Sequence, residues 1–84
     1  MKYSVSVEAL NLKTVKAVHE EVMLNLALAK DIHIDLSRVD AIDTAGIASM
    51  LCWIKYAREK NIVCDFELSD AIQSVLSSYQ FSLP

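Results

Sequence analysis

The sequence predicts a single small α/β domain in which a mixed β-sheet carries helices packed mainly on one face. Three observations carry that expectation. Apolar residues recur at period two in short stretches and at helical spacing in the stretches that follow them. From Asp31 to Glu67 a strand-like run, a helix-like run and a second strand-like run succeed one another. That is the spacing of a βαβ unit, whose strands run parallel and are joined by a right-handed crossover. Finally, 84 residues, 54% of them apolar, with one glycine and one proline, suffice for one core and not for two.

In chain order, Tyr3, Val5 and Val7 fall on one side of an extended run, with Ser4, Ser6 and Glu8 on the other, as in a half-buried strand. After Asn11 the period changes. Val15, Val18, Val22 and Leu26 form an apolar stripe, and a helix is expected from about Leu12 to Ala27. His19 lies among charged residues of that helix and reads as a solvated side chain, since no second ligand stands at metal spacing. Asp31 to Leu36 alternates again, with Ile32, Ile34 and Leu36 inward and His33 and Asp35 on the opposite face, which implies a one-sided sheet. His33 and Asp35 have no nucleophile or oxyanion donor nearby in sequence, so an acid–base role is not expected.

The stretch from Asp40 to Ala48 holds the only glycine, Gly46, and reads as a strand end, a turn and a helix start. Asp43 and Thr44 precede an apolar-periodic segment, the pattern of an N-cap. Such a cap also sets the Thr44 hydroxyl at the positive end of a helix, where an anion or a partner can reach it. An ordinary cap is the alternative. The helix is expected to reach Lys60, with Ile47, Met50, Leu51, Ile54 and Ala57 as its core stripe. Its flank of Ala48, Ser49, Cys52, Trp53 and Tyr56 is small, then aromatic, and uncharged before Lys55. Aromatic anchors are enriched at protein interfaces, so this flank is a candidate contact surface, packing within the domain being the alternative. Asn61 closes the helix. Ile62 to Glu67 reads as a strand with Ile62, Cys64 and Phe66 on one face, and Ser69 caps a last helix with the stripe Ile72, Val75, Leu76 and Tyr79.

Composition narrows the function classes. A net charge of −3 with no basic run argues against nucleic acid as partner. The first residues lack the apolar core of a secretory signal, and the uncharged stretches Thr44 to Ile54 and Ala71 to Pro84 fall short of the roughly 20 residues that span a bilayer. A soluble, cytoplasmic protein is expected. Cys52 and Cys64 then read as buried free thiols rather than a disulfide. One glycine leaves no phosphate-cradling loop, and no metal or nucleophile constellation appears, so neither a cofactor nor an enzymatic activity is expected. The apolar fraction exceeds the needs of so small a core, leaving apolar surface for a protein partner or a second copy.

The run Asp35-Leu36-Ser37-Arg38-Val39-Asp40-Ala41-Ile42-Asp43-Thr44-Ala45-Gly46-Ile47-Ala48 resembles the signature of STAS domains (sulfate transporter and anti-sigma factor antagonist). There a strand ending in D-L-S precedes D-S/T-x-G and a helix. The order of elements agrees over nearly the whole chain, and Ala9 stands where the family often has a glycine turn between two short strands, so the second of those strands is expected to be short or absent. The form D-T-A-G is most similar to the MlaB-like subunits of the ABC transporter that maintains outer-membrane lipid asymmetry. That resemblance implies a non-enzymatic subunit that binds the ATPase on the cytoplasmic side, peripheral to the inner membrane, with Asp43, Thr44, Ala45 and Gly46 at or near the contact. The other branch, the anti-sigma factor antagonists, implies a kinase that phosphorylates the hydroxyl at Thr44 and an anti-sigma factor released by the phosphate. That branch usually carries serine at Thr44 and a hydroxyl residue at Ala45, which favours the transporter subunit.

Overall fold

The computed structural model describes residues 1–78. Along the chain run β1 (Lys2–Ser4), β2 (Ala9–Leu10), α1 (Val15–Leu28), β3 (Asp31–Leu36), β4 (Ala41–Ile42), α2 (Thr44–Glu59), β5 (Val63–Leu68) and α3 (Asp70–Ser78). β3 lies at the centre of a three-stranded sheet ordered β1-β3-β5, in which Tyr3, Ile34 and Phe66 stand side by side. β2 and β4 pair separately. Every pairing among the described residues is parallel, so the mixed sheet expected from the sequence is replaced by two parallel ones. The cause is connectivity. α1 lies between β1 and β3, and α2 between β3 and β5, and a helix between neighbouring strands returns the chain to the same end of the sheet.

One face of the sheet is covered. Ile32, Ile34 and Leu36 are fully buried and pack in a single core with Val18, Val22 and Leu26 of α1, Met50, Trp53 and Ala57 of α2, and Ile72 and Leu76 of α3. Burying a side chain of this kind stabilises the fold by about 1.5–3 kcal/mol relative to leaving it in water. The other face carries His33, Asp35, Asp65 and Glu67 and is open, as the alternation in β3 predicts.

Local chemistry explains where the elements begin and end. α1 starts at Val15 rather than Leu12 because Asn11 and Thr14 build a turn first: the Asn11 side-chain oxygen accepts from the Lys13 N–H at 2.9 Å, and the Thr14 hydroxyl donates to the Ala9 carbonyl at 2.7 Å. β2, expected to be short or absent, is two residues long. At the end of α3's approach, the Ser69 hydroxyl donates to the Val39 carbonyl at 2.5 Å and accepts from the Ile72 N–H at 3.2 Å, capping the helix as predicted. Tyr79, expected in the α3 stripe, lies outside the described residues, as does the rest of the tail to Pro84.

The end of α2 is a Schellman closure. Asn61 adopts φ 57°, the Ile62 N–H donates to the Ala57 carbonyl at 2.8 Å, and the Asn61 N–H donates to the Arg58 carbonyl at 3.3 Å. A left-handed backbone is costly for most L-residues and tolerable for asparagine and glycine. Asn61→Ala is therefore expected to destabilise the domain by about 1 kcal/mol and Asn61→Gly to leave it unchanged or slightly more stable, as measured by urea denaturation.

Candidate functional site

The start of α2 is held by one side chain. Asp43, the N-cap, accepts from the Gly46 N–H through Oδ1 at 3.1 Å and from the Leu12 N–H through Oδ2 at 3.2 Å. One carboxylate thus satisfies a free donor of the helix and ties the turn before α1 to it. Gly46 is buried where the first turn of α2 crosses β2 and β4, and a Cβ there would lie 2.6 Å from both the Leu10 carbonyl oxygen and Ile42 Cγ1. Its expected place in a partner contact is thereby corrected: Gly46 permits a close internal approach and presents nothing to a partner. Ala45 is half-buried. Thr44 is exposed at the first helical position, and its hydroxyl makes no hydrogen bond among the described residues.

Ile47, Met50, Ile54 and Ala57 are buried as the expected core stripe, but Trp53 and Leu51 exchange the roles expected of them. Trp53 is fully buried, and its indole N–H donates to His19 Nδ1 at 3.0 Å, with the two rings stacked 6.4 Å apart. Trp53 is a core residue and is withdrawn from the contact surface. His19 is correspondingly half-buried and partnered instead of solvated; because its Nδ1 accepts, its own hydrogen sits on Nε2. Leu51, expected in the core stripe, is 42% exposed. Ser49 and Tyr56 are half-buried, and Cys52 is exposed, not buried as expected; Cys64 is half-buried, and burial pushes its thiol pKa up, with the Asp65 charge adding to the effect.

The exposed residues of α2 are Thr44, Ala48, Leu51, Cys52, Lys55, Arg58 and Glu59, of which the first five form an outward stripe from its start. These positions recur at the four- and three-residue steps that share one helix face. Beside its start stands Leu12, 78% exposed and anchored through its N–H to Asp43. The patch is apolar at its centre and carries one free hydroxyl and one carboxylate at the end where the helix dipole is positive. Leu12 belongs to it although sequence reading placed it at the beginning of a helix; the polar Asn11–Thr14 pair around it was the available signal.

No protein-family model matches the chain, and no curated protein does. Among solved structures, a sulfate transporter family protein from Wolinella succinogenes superposes with a TM-score of 0.68 at 16% identity, over 95% of this chain and 66% of that one. The fold is STAS-like. The chain spans about two thirds of that relative, and the likeness concerns architecture. Among the described residues, no helix is long and apolar enough to cross a membrane, and no group of three or more His, Cys, Asp or Glu side chains is placed to hold a metal ion.

On the open face of this STAS-like sheet, His33 bridges two carboxylates of β5, with Nδ1 3.0 Å from Asp65 Oδ1 and Nε2 3.3 Å from Glu67 Oε1. Both nitrogens donate only when the ring is protonated, and the hydrogen bond to Asp65, then that to Glu67, raise the His33 pKa above its usual value. Asp35 moves the opposite way. Hydrogen bonds from Ser37 lower its pKa, and Lys2 at 3.8 Å adds to the effect. A raised folded-state pKa contributes stability that is fully present below the unfolded value near 6.5 and disappears as pH rises through the folded value. Thermal melts between pH 6 and pH 8 are expected to show this loss in the wild-type domain, over and above the pH trend that remains in His33→Gln. An identical slope in both proteins would sever the link to His33.

Proposed function

We propose that this domain is a non-enzymatic docking subunit that binds a protein partner through the exposed face at the start of α2. The partner that fits best is the ATPase of an ABC transporter for phospholipids, held at the cytoplasmic side of the inner membrane and serving outer-membrane lipid asymmetry. The observation that carries this reading is the exposed apolar patch of Leu12, Ala48, Leu51 and Cys52 beside the exposed Thr44, whose hydroxyl has no partner among the described residues. The D-T-A-G run of Asp43 to Gly46 supports it through its resemblance to MlaB-like subunits. Mechanistically, such a subunit works by assembly: it shifts the ATPase towards the arrangement it binds more tightly, by no more than the difference in affinity.

A second reading is an anti-sigma factor antagonist phosphorylated on Thr44, favoured by the exposure of that hydroxyl. A phosphate there adds about −1.5 to −2 of charge beside Asp43. The test is affinity purification of the tagged protein from its own cells in parallel with Thr44→Glu. The wild type is expected to retain an ABC ATPase, and Thr44→Glu to retain at least about tenfold less, because a charge inside a packed contact must be desolvated. An anti-sigma factor or kinase in the eluate, with phosphate on Thr44, selects the second reading. Equal retention by both proteins moves the interface elsewhere.

A further inference from the structure

The outer edge of β5 is open among the described residues. β5 pairs with β3 along one side from Val63 to Leu68, and no described strand pairs with the other side. The Val63 N–H donates to the Lys30 carbonyl at 3.0 Å, so the backbone groups of Val63, Asp65 and Glu67 turn towards β3. By the alternation of an extended chain, those of Cys64, Phe66 and Leu68 turn outwards. A six-residue edge of this kind is long enough to template another strand.

The two faces of the edge differ in chemistry. Towards the helices, a groove of about 170 Å³ opens between α2 and β5, lined by Ile54, Ala57, Arg58, Ile62, Cys64 and Phe66. Towards the open face, Asp65 and Glu67 follow one another two residues apart, each with one oxygen against His33, and their side chains remain 71% and 51% exposed. Two β5 edges brought together would face carboxylate with carboxylate, and like charges directly opposite in a sheet are destabilising. Self-association through this edge is thus disfavoured, whereas a strand carrying cations at alternate positions meets complementary charge.

We propose that the β5 edge receives an extended segment of a protein partner as an added strand, with apolar residues towards the groove and lysine or arginine at the alternate positions facing Asp65 and Glu67. The outward N–H groups of Cys64, Phe66 and Leu68 and the C=O groups of Cys64 and Phe66 supply the main-chain hydrogen bonds; the Leu68 carbonyl already accepts from the Gln73 side-chain amide at 3.2 Å. The groove accepts every second side chain, and the two carboxylates select for the residues between. This surface is separate from the one around Thr44.

Amide hydrogen exchange with two nine-residue synthetic peptides tests the proposal, one alternating lysine with valine and one alternating glutamate with valine. The lysine peptide is expected to slow exchange at Cys64, Phe66 and Leu68 by roughly tenfold or more, leaving Val63, Asp65 and Glu67 as they were, and the glutamate peptide to do nothing. In the double variant Asp65→Lys, Glu67→Lys the preference should reverse, with unchanged circular dichroism establishing that the fold is kept. Thr44→Glu should bind the lysine peptide as the wild type does. Protection by neither peptide, or equally by both, overturns the proposal. So does slow exchange of those three amides in the protein alone, since the edge is then covered by this chain or by a second copy.

Discussion

Trp53→Ala is expected to destabilise the domain by about 3–5 kcal/mol, the range seen when a buried aromatic is truncated in a packed core. For a chain of this length the whole stability is roughly 4–13 kcal/mol, so the variant should lose a large part of it. The loss has two parts. The indole is fully buried between helices and sheet, and its N–H is the donor to His19, so alanine leaves both a cavity and a half-buried imidazole without its partner. Trp53→Phe separates them. It keeps most of the apolar volume and removes the donor, for an expected loss of about 1–2 kcal/mol. Trp53 is the only tryptophan, so the comparison needs far-ultraviolet circular dichroism in urea rather than fluorescence. A midpoint that falls with an unchanged m-value reports stability alone. A loss below about 1 kcal/mol for Trp53→Ala would contradict the burial described above.

Gly46→Ala should cost about 2 kcal/mol even though alanine is the better helix former by about 1 kcal/mol. The new methyl would sit 2.6 Å from a backbone oxygen, that of Leu10, and backbone cannot move aside as a side-chain tip can. Relief requires shifting the first turn of α2 away from β2 and β4. That shift would pull Asp43 from the Leu12 N–H and disorder the Thr44 patch along with the fold. For a domain of this size the melting temperature should fall by roughly 8–16 °C. Partner binding should weaken beyond what the folded fraction explains. An unchanged melting temperature would mean that the helix start sits further from β2 than the structure places it.

Much of the architecture could be read from periodicity. The alternation in Asp31–Leu36 correctly assigns the covered and the open face, and the cap at Asp43 and the closure at Asn61 bracket α2 to within a residue. The failures have specific causes. At about 100° per residue, Ile47, Met50, Ile54 and Ala57 define a stripe whose centre lies about 80° from both Trp53 and Leu51. The helix wheel is therefore indifferent to which of the two goes inward. α1 decides it, by bringing His19 against the Trp53 side, and that contact spans 34 residues of sequence. The same contact explains why His19, surrounded by charges along the chain, is half-buried in space. The strand end read just before the Asp43 cap is β4, but a two-residue strand has no period, and its pairing with β2 is visible only once the chain is folded. At the candidate site, Thr44 and Ala48 are exposed as expected; Leu51 joins the patch because apolar character alone does not say which side of a helix faces water, and Leu12 because the Asn11–Thr14 turn holds it outside α1.

The central position of β3 sets the order in which the chain can acquire its structure during synthesis. Ile34 finds one backbone neighbour about thirty residues before it, at Tyr3, and the other about thirty residues after it, at Phe66. A nascent chain made only through Lys60 has β1, both long helices and the central strand, with one whole ladder of β3 unsatisfied. Pairings this distant in sequence are slow to form, because the intervening chain must be ordered before they contribute. Until β5 leaves the ribosome, β3 is itself an edge strand, and its apolar alternation of Ile32, Ile34 and Leu36 is the kind of template that chaperones are needed to shield.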